Sequence, residues 1–169
     1  MKHIFALLAS LILSATSRAD APPKELEALN HYLGSWVNTI SDNPKAKGTG
    51  SAQWTLDGRF LQQTWTLDAD PGVRPTLSCT TMMTYDTTKG VYRAWQFFST
   101  GYSVNGDGVW DAATSTFTWT IKDPNTGKTT VTKVSFPQEG VENWSFTTTN
   151  SEGKELLTMS GKNALQKAK

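Results

Sequence analysis

In Thr116-Phe117-Thr118-Trp119-Thr120-Ile121, large apolar side chains take every second position and threonine takes the rest. A half-buried antiparallel strand requires that period of two, whereas a helix of the same residues would scatter Phe117, Trp119 and Ile121 around its circumference. Working outward in both directions, similar runs recur at intervals of about 8 to 12 residues, the spacing of an all-β sandwich or barrel. The pattern predicts strands at 34–41, 49–57, 60–68, 77–86, 91–99, 102–111, 115–122, 128–136, 141–149 and 154–162. Between them lie turn sequences that each supply Gly beside Asp or Asn: Leu56-Asp57-Gly58-Arg59, Asp86-Thr87-Thr88-Lys89-Gly90, Asp123-Pro124-Asn125-Thr126-Gly127 and Asn150-Ser151-Glu152-Gly153. About ten hairpin-linked strands favour a single antiparallel up-and-down barrel, because closure removes the exposed edges that an open sheet would present.

Ahead of the strands, Pro22 and Pro23 lead into 24–33, where early acids and Leu26, Leu29 and Leu33 at helical spacing predict one short amphipathic helix. The segment 1–19 has the form of a cleavable signal peptide: Lys2 and His3, an apolar stretch from Ile4 to Leu13, then Ser17-Arg18-Ala19 as a small-x-Ala cleavage pattern. The expectation is a periplasmic or secreted protein without a membrane anchor, since the apolar stretch falls short of the roughly 20 residues that span a bilayer. Removing 1–19 leaves 14 basic against 15 acidic residues. That balance offers no electrostatic case for nucleic acid as a partner. The expected domain plan is the leader at 1–19, a segment and helix at 20–33, the barrel at 34–163 and a flexible tail at 164–169, in a monomer. Cys79, the single cysteine, lies in an alternating run that should bury it as an inert core residue.

Leu33-Gly34-Ser35-Trp36 opens the first predicted strand, after a short helix and before strands alone. In that setting Gly34-Ser35-Trp36 resembles the opening of calycin (lipocalin-like) barrels. The resemblance implies that Gly34 and Trp36 belong to the structural closure of one end, with Trp36 stacked under a basic side chain of the last strand, here Lys162. The blocks Leu56-Asp57-Gly58-Arg59-Phe60-Leu61, Met83-Thr84-Tyr85-Asp86, Tyr92-Arg93-Ala94-Trp95 and the stretch from Gly106 to Asp111 are similar to a bacterial lipocalin-like family, domain of unknown function 1579. Gly34-Ser35-Trp36-Val37-Asn38 also resembles the opening of avidins, which implies biotin as a remote alternative ligand; the later avidin motifs are missing.

Parity sorts the faces. The face with more apolar bulk gathers Ala52, Trp54 and Leu56; Leu61, Trp65 and Leu67; Leu77, Cys79, Met83 and Tyr85; Phe117, Trp119 and Ile121; and Trp144 with Phe146. The fifth strand carries bulk on both faces. Placing Trp95 and Phe97 inside takes Arg93 inward and implies a carboxylate-bearing ligand, while the alternative leaves Arg93 outside, lying over its neighbours. The candidate ligand-binding residues are therefore Trp54, Trp65, Met83, Tyr85, Arg93, Trp95, Trp119 and Trp144. They fit a small hydrophobic or aromatic molecule, or a packed core.

No catalytic residue and no metal or cofactor site is assigned. Beyond the leader the chain has one histidine, His31, and no phosphate-cradling loop, and its turn carboxylates lack the spacing of a calcium loop. Three function classes remain open: a ligand-binding module, a barrel enzyme such as an isomerase or hydrolase using Tyr85 or Arg93, and an envelope interaction or scaffold protein.

Overall fold

The computed structural model describes residues 23–41, 43–69 and 75–166, without the side chains of 44 and 45. The leader expected at 1–19 lies outside the described residues, as do 167–169. Ten strands follow one helix: β1 (Gly34–Ile40), β2 (Asn43–Thr55), β3 (Phe60–Leu67), β4 (Leu77–Asp86), β5 (Val91–Phe98), β6 (Ser103–Asp111), β7 (Thr116–Lys122), β8 (Thr129–Gln138), β9 (Val141–Thr149) and β10 (Glu155–Leu165). Each pairs with its sequence neighbours, and β10 pairs with β1, so the sheet closes into an antiparallel up-and-down, calycin-like barrel. No helix among the described residues is long and apolar enough to cross a membrane.

The turns use the chemistry that the sequence displays. Asp86 Oδ1 accepts from the backbone N–H groups of Thr88 and Lys89, Asp123 Oδ1 from Asn125, and Asn150 Oδ1 from Glu152 and Lys154. Two ends differ from expectation by more than two residues. Strand β2 starts at Asn43, ahead of the expected start at 49, in a stretch where buried Ala46 and inward Gly48 give no bulky alternation to detect. Strand β10 continues to Leu165 through pairing with Trp36, so residues 164 and 165 belong to the barrel rather than to a tail.

The helix (Lys24–Tyr32) is a 3₁₀ helix whose buried residues are Leu26, Leu29 and Tyr32. Their strict spacing of three suits a helix with three residues per turn, which stacks i, i+3 and i+6 on one side. That side closes one end of the barrel. Leu26, Leu29 and Tyr32 join Leu61, Met83, Tyr92, Ala94, Phe117, Trp119 and Phe136 in one buried cluster, where each large apolar side chain contributes roughly 1.5 to 3 kcal/mol. Four wall side chains fasten the helix by hydrogen bonds. Trp36 Nε1 donates to the Tyr32 carbonyl at 2.8 Å, Trp54 Nε1 to Asn30 Oδ1 at 2.9 Å, Tyr92 Oη to the Glu25 carbonyl at 2.7 Å, and Trp119 Nε1 to Tyr32 Oη at 3.1 Å. His31, on the exposed side, stacks on Trp110 and Phe136.

Gly34 explains why the opening motif needs glycine. Its φ of +110° is one that L side chains rarely adopt, and a Cβ there would stand 2.6 Å from Leu165 Cδ1. Trp36 is buried beside it, opposite Leu165.

Candidate ligand site

Cross-strand partners point to the same face, so the register fixes the interior without ambiguity. From the helix end upward, Leu61, Met83, Ala94 and Phe117 are fully buried. Nearer the other end, Trp65, Leu67, Phe98, Ile121, Thr132 and Phe146 also face inward, yet each remains partly accessible. The barrel is thus solid at the helix end and accessible at the opposite end.

The eight candidate residues separate into three groups. Trp65 faces inward, is only partly buried and stands apart from the packed cluster. Trp54, Met83, Tyr85, Trp119 and Trp144 also face inward but belong to the packed cluster at the helix end or lie against it. The third group is a correction. Arg93 and Trp95 face outward, because β5 pairs Ala94 with Met83 and Tyr92 with Tyr85, and β4 commits those partners to the core. Phe97 is likewise outside and 51% exposed. On the outer surface, Arg93 Nε lies 2.7 Å from Asp107 Oδ1, and its guanidinium sits 5.5 Å from the Trp95 ring centroid. An inward cation that would select a carboxylate ligand is therefore absent at this position.

Two further expectations change. Lys162 is exposed on the face opposite to Trp36, paired with Thr39 and Asn143, so the helix and Leu165 cover Trp36 where a stacked cation was expected. Leu56 sits in the β2–β3 turn at φ +49° and is 61% exposed, outside the interior. Cys79 is buried, and burial pushes its thiol pKa up, in keeping with a core role.

No protein-family model and no curated protein matches this chain.

Two tryptophans lie directly across from glycine: Trp119 from Gly108 and Trp144 from Gly161. A Cβ at either glycine would overlap the facing indole, so these indoles lie against the wall across from them. The interior also holds a polar group that the sequence reading did not place there. Glu142 is 4% exposed and opposite Asn163, whose Nδ2 donates to Glu142 Oε1. Its parity is that of Trp144 and Phe146, so the alternation that puts those two inside also puts Glu142 inside. Burial raises its carboxyl pKa to about 7, with the Asn163 hydrogen bond opposing the shift. Asp57 is exposed in a turn, whereas Glu142 is enclosed. Among the described residues, no three His, Cys, Asp or Glu side chains gather as a metal site.

The outer wall is different in kind. Serine and threonine pairs such as Ser51 with Thr64 and Thr147 with Thr158 hydrogen-bond across it, and short side chains there leave shallow grooves. The larger, of about 480 Å³, runs beside Lys133, Ser145 and Lys162.

Proposed function

We propose that the chain is an exported, lipocalin-like binding protein that holds a small molecule with an apolar, flat body in the accessible half of its barrel. The observation that carries this reading is the gradient along the interior, from fully buried Leu61 and Phe117 to partly accessible Trp65, Ile121 and Phe146. Pockets for small molecules are mostly apolar and lined by aromatic side chains with a few polar groups, and the inward side chains of this half are of that kind. Kinship with calycins is part of the proposal and rests on Gly34-Ser35-Trp36 and the sequence blocks that follow. Export rests on the leader pattern in 1–19 and is tested by N-terminal sequencing of the mature protein, which should begin at Asp20.

The experiment is a fluorescence titration with N-phenyl-1-naphthylamine, a neutral aromatic probe. One probe should bind per chain. Thr132→Trp, at an inward position between Trp119 and Phe146, should weaken binding at least tenfold, and Phe97→Ser on the outer face should leave it unchanged. Binding that survives in Thr132→Trp and disappears in Phe97→Ser would place the site on the outside instead. That result would favour an interaction protein working through the exposed Phe97 and its neighbour Trp95.

A further inference from the structure

The inner face carries one carboxylate and no cation among the described residues. Following the register through all ten strands, every Lys, Arg and Asp with a described side chain in a strand falls on the outer face, and Glu142 is the sole acid inside. An isolated buried carboxylate is costly unless something pairs with it. Around it, three polar side chains stand in one row on adjacent strands: Glu142 on β9 opposite Asn163 on β10, and Asn163 opposite Asn38 on β1. Glu142 Oε2, Asn163 Oδ1 and Asn38 Oδ1 are buried acceptors without a hydrogen-bond partner, and the buried Trp144 Nε1 is a donor without one. Native interiors pair such groups.

Three unpaired acceptors, one of them a carboxylate oxygen, complement a primary ammonium, which has three N–H donors and no acceptor. Neighbouring indoles add the attraction of an aromatic face for a cation. We propose that the ligand is a primary organic ammonium on an aromatic body, its amine held by Glu142, Asn163 and Asn38 at the floor of the barrel. This deepens the binding reading above and rests on it. It also reverses the sign expected when Arg93 was placed inside. An oxygen on the ligand, or a water, would accept from Trp144 Nε1.

Selectivity should depend on pH. The elements packed around Glu142 present Val134 and Phe136 from β8, Asn163 from β10, Asn38 from β1 and Tyr32 from the helix. Tyr32 is the titratable group among them, and burial holds its hydroxyl well above its usual value, so it stays neutral. Ammonium binding favours the ionised carboxyl. Preference for the amine therefore grows as pH rises through about 7, where Glu142 of the free protein releases its proton.

Calorimetric titration of the full mature chain with tryptamine, 3-ethylindole and indole-3-propionate tests this, because the three share a ring and differ in charge. At pH 8 tryptamine should bind at least tenfold more tightly than 3-ethylindole, and indole-3-propionate more weakly than either. At pH 5.5 the tryptamine advantage should shrink severalfold. In Glu142→Gln the advantage should vanish while 3-ethylindole still binds, which shows that the pocket is intact. If 3-ethylindole matches tryptamine in the wild type, or Glu142→Gln keeps the preference, the ammonium assignment is overturned and the pocket stands. If none of the three binds, the pocket reading falls and takes the assignment with it.

Discussion

Replacing Glu142 by Gln should make the stability of the free protein nearly independent of pH where the wild type is strongly dependent on it. The wild-type carboxyl titrates near 4.5 in the unfolded chain and is pushed up to about 7 by burial in the fold. Between those values the folded protein holds a proton that the unfolded chain has released, so stability is greatest below about pH 4.5 and declines as pH rises towards 7. At about 1.4 kcal/mol per pH unit, the decline totals about 3 kcal/mol by pH 8. Gln is a lasting mimic of the protonated acid: its oxygen can accept from Asn163 Nδ2, and its amide can donate towards the unpaired oxygens of Asn38 and Asn163. The variant should match the wild type near pH 5 and exceed it by about 3 kcal/mol at pH 8. The turn carboxylates Asp111 and Asp123 do not mask this. Hydrogen bonds from Thr114 and Thr126, respectively, and from nearby backbone N–H groups hold them below the usual carboxylate range, so they titrate beneath the window. Urea denaturation followed by tryptophan fluorescence at pH 5, 6, 7 and 8 measures the effect. Parallel stability curves for the two proteins would refute the assignment of Glu142 as a buried, unpaired carboxyl.

Gly161→Ala should lower stability by roughly 1 to 3 kcal/mol in the same assay, since its Cβ would meet the Trp144 indole and the Thr39 carbonyl; an unchanged midpoint would mean that the indole does not lie against the strand. Tyr32→Phe removes the acceptor of Trp119 Nε1 and should cost roughly 1 to 3 kcal/mol by leaving a buried donor unpaired, with a visible change in tryptophan emission. Leu29→Ala, at a position with 0% exposure in the helix that closes the barrel, should cost about 2 to 5 kcal/mol; a loss below 1 kcal/mol would show that the helix contributes little to the core. Cys79 should resist Ellman's reagent at pH 8 in the native protein and react fully in guanidinium, because its thiol is enclosed and its pKa raised by burial.

Alternation carried most of the fold. Runs such as Phe117-Trp119-Ile121 specify both strand and face, because one parity is apolar and the other is threonine. Three of the four turns were legible for a similar reason, with Asp86, Asp123 and Asn150 each placing an Asx side chain where it caps the backbone of its own turn. Strand β5 shows where local reading stops. With Tyr92 and Phe98 on one face and Trp95 and Phe97 on the other, the strand itself does not say which face is inside. The decision comes from β4, which sets Met83 and Tyr85 in the core opposite Ala94 and Tyr92. Residues that pack by being small were also missed: Gly48 and Ala46 extend β2 without an apolar signal. The role of the helix as an end closure depends on hydrogen bonds between residues as distant as Tyr92 and Glu25, which no local pattern encodes. Glu142 is the instructive case, since parity with Trp144 and Phe146 places it inside, and only the habit of assigning acids to the surface argued otherwise.

The most direct test is a crystal structure of the mature protein grown with N-phenyl-1-naphthylamine. A barrel closed by the helix and accessible at its other end predicts ring density on the axis, against Trp65, Ile121 and Phe146. Density confined to the outer surface around Trp95 and Phe97, with side chains filling the axis at the level of Thr132, would contradict it.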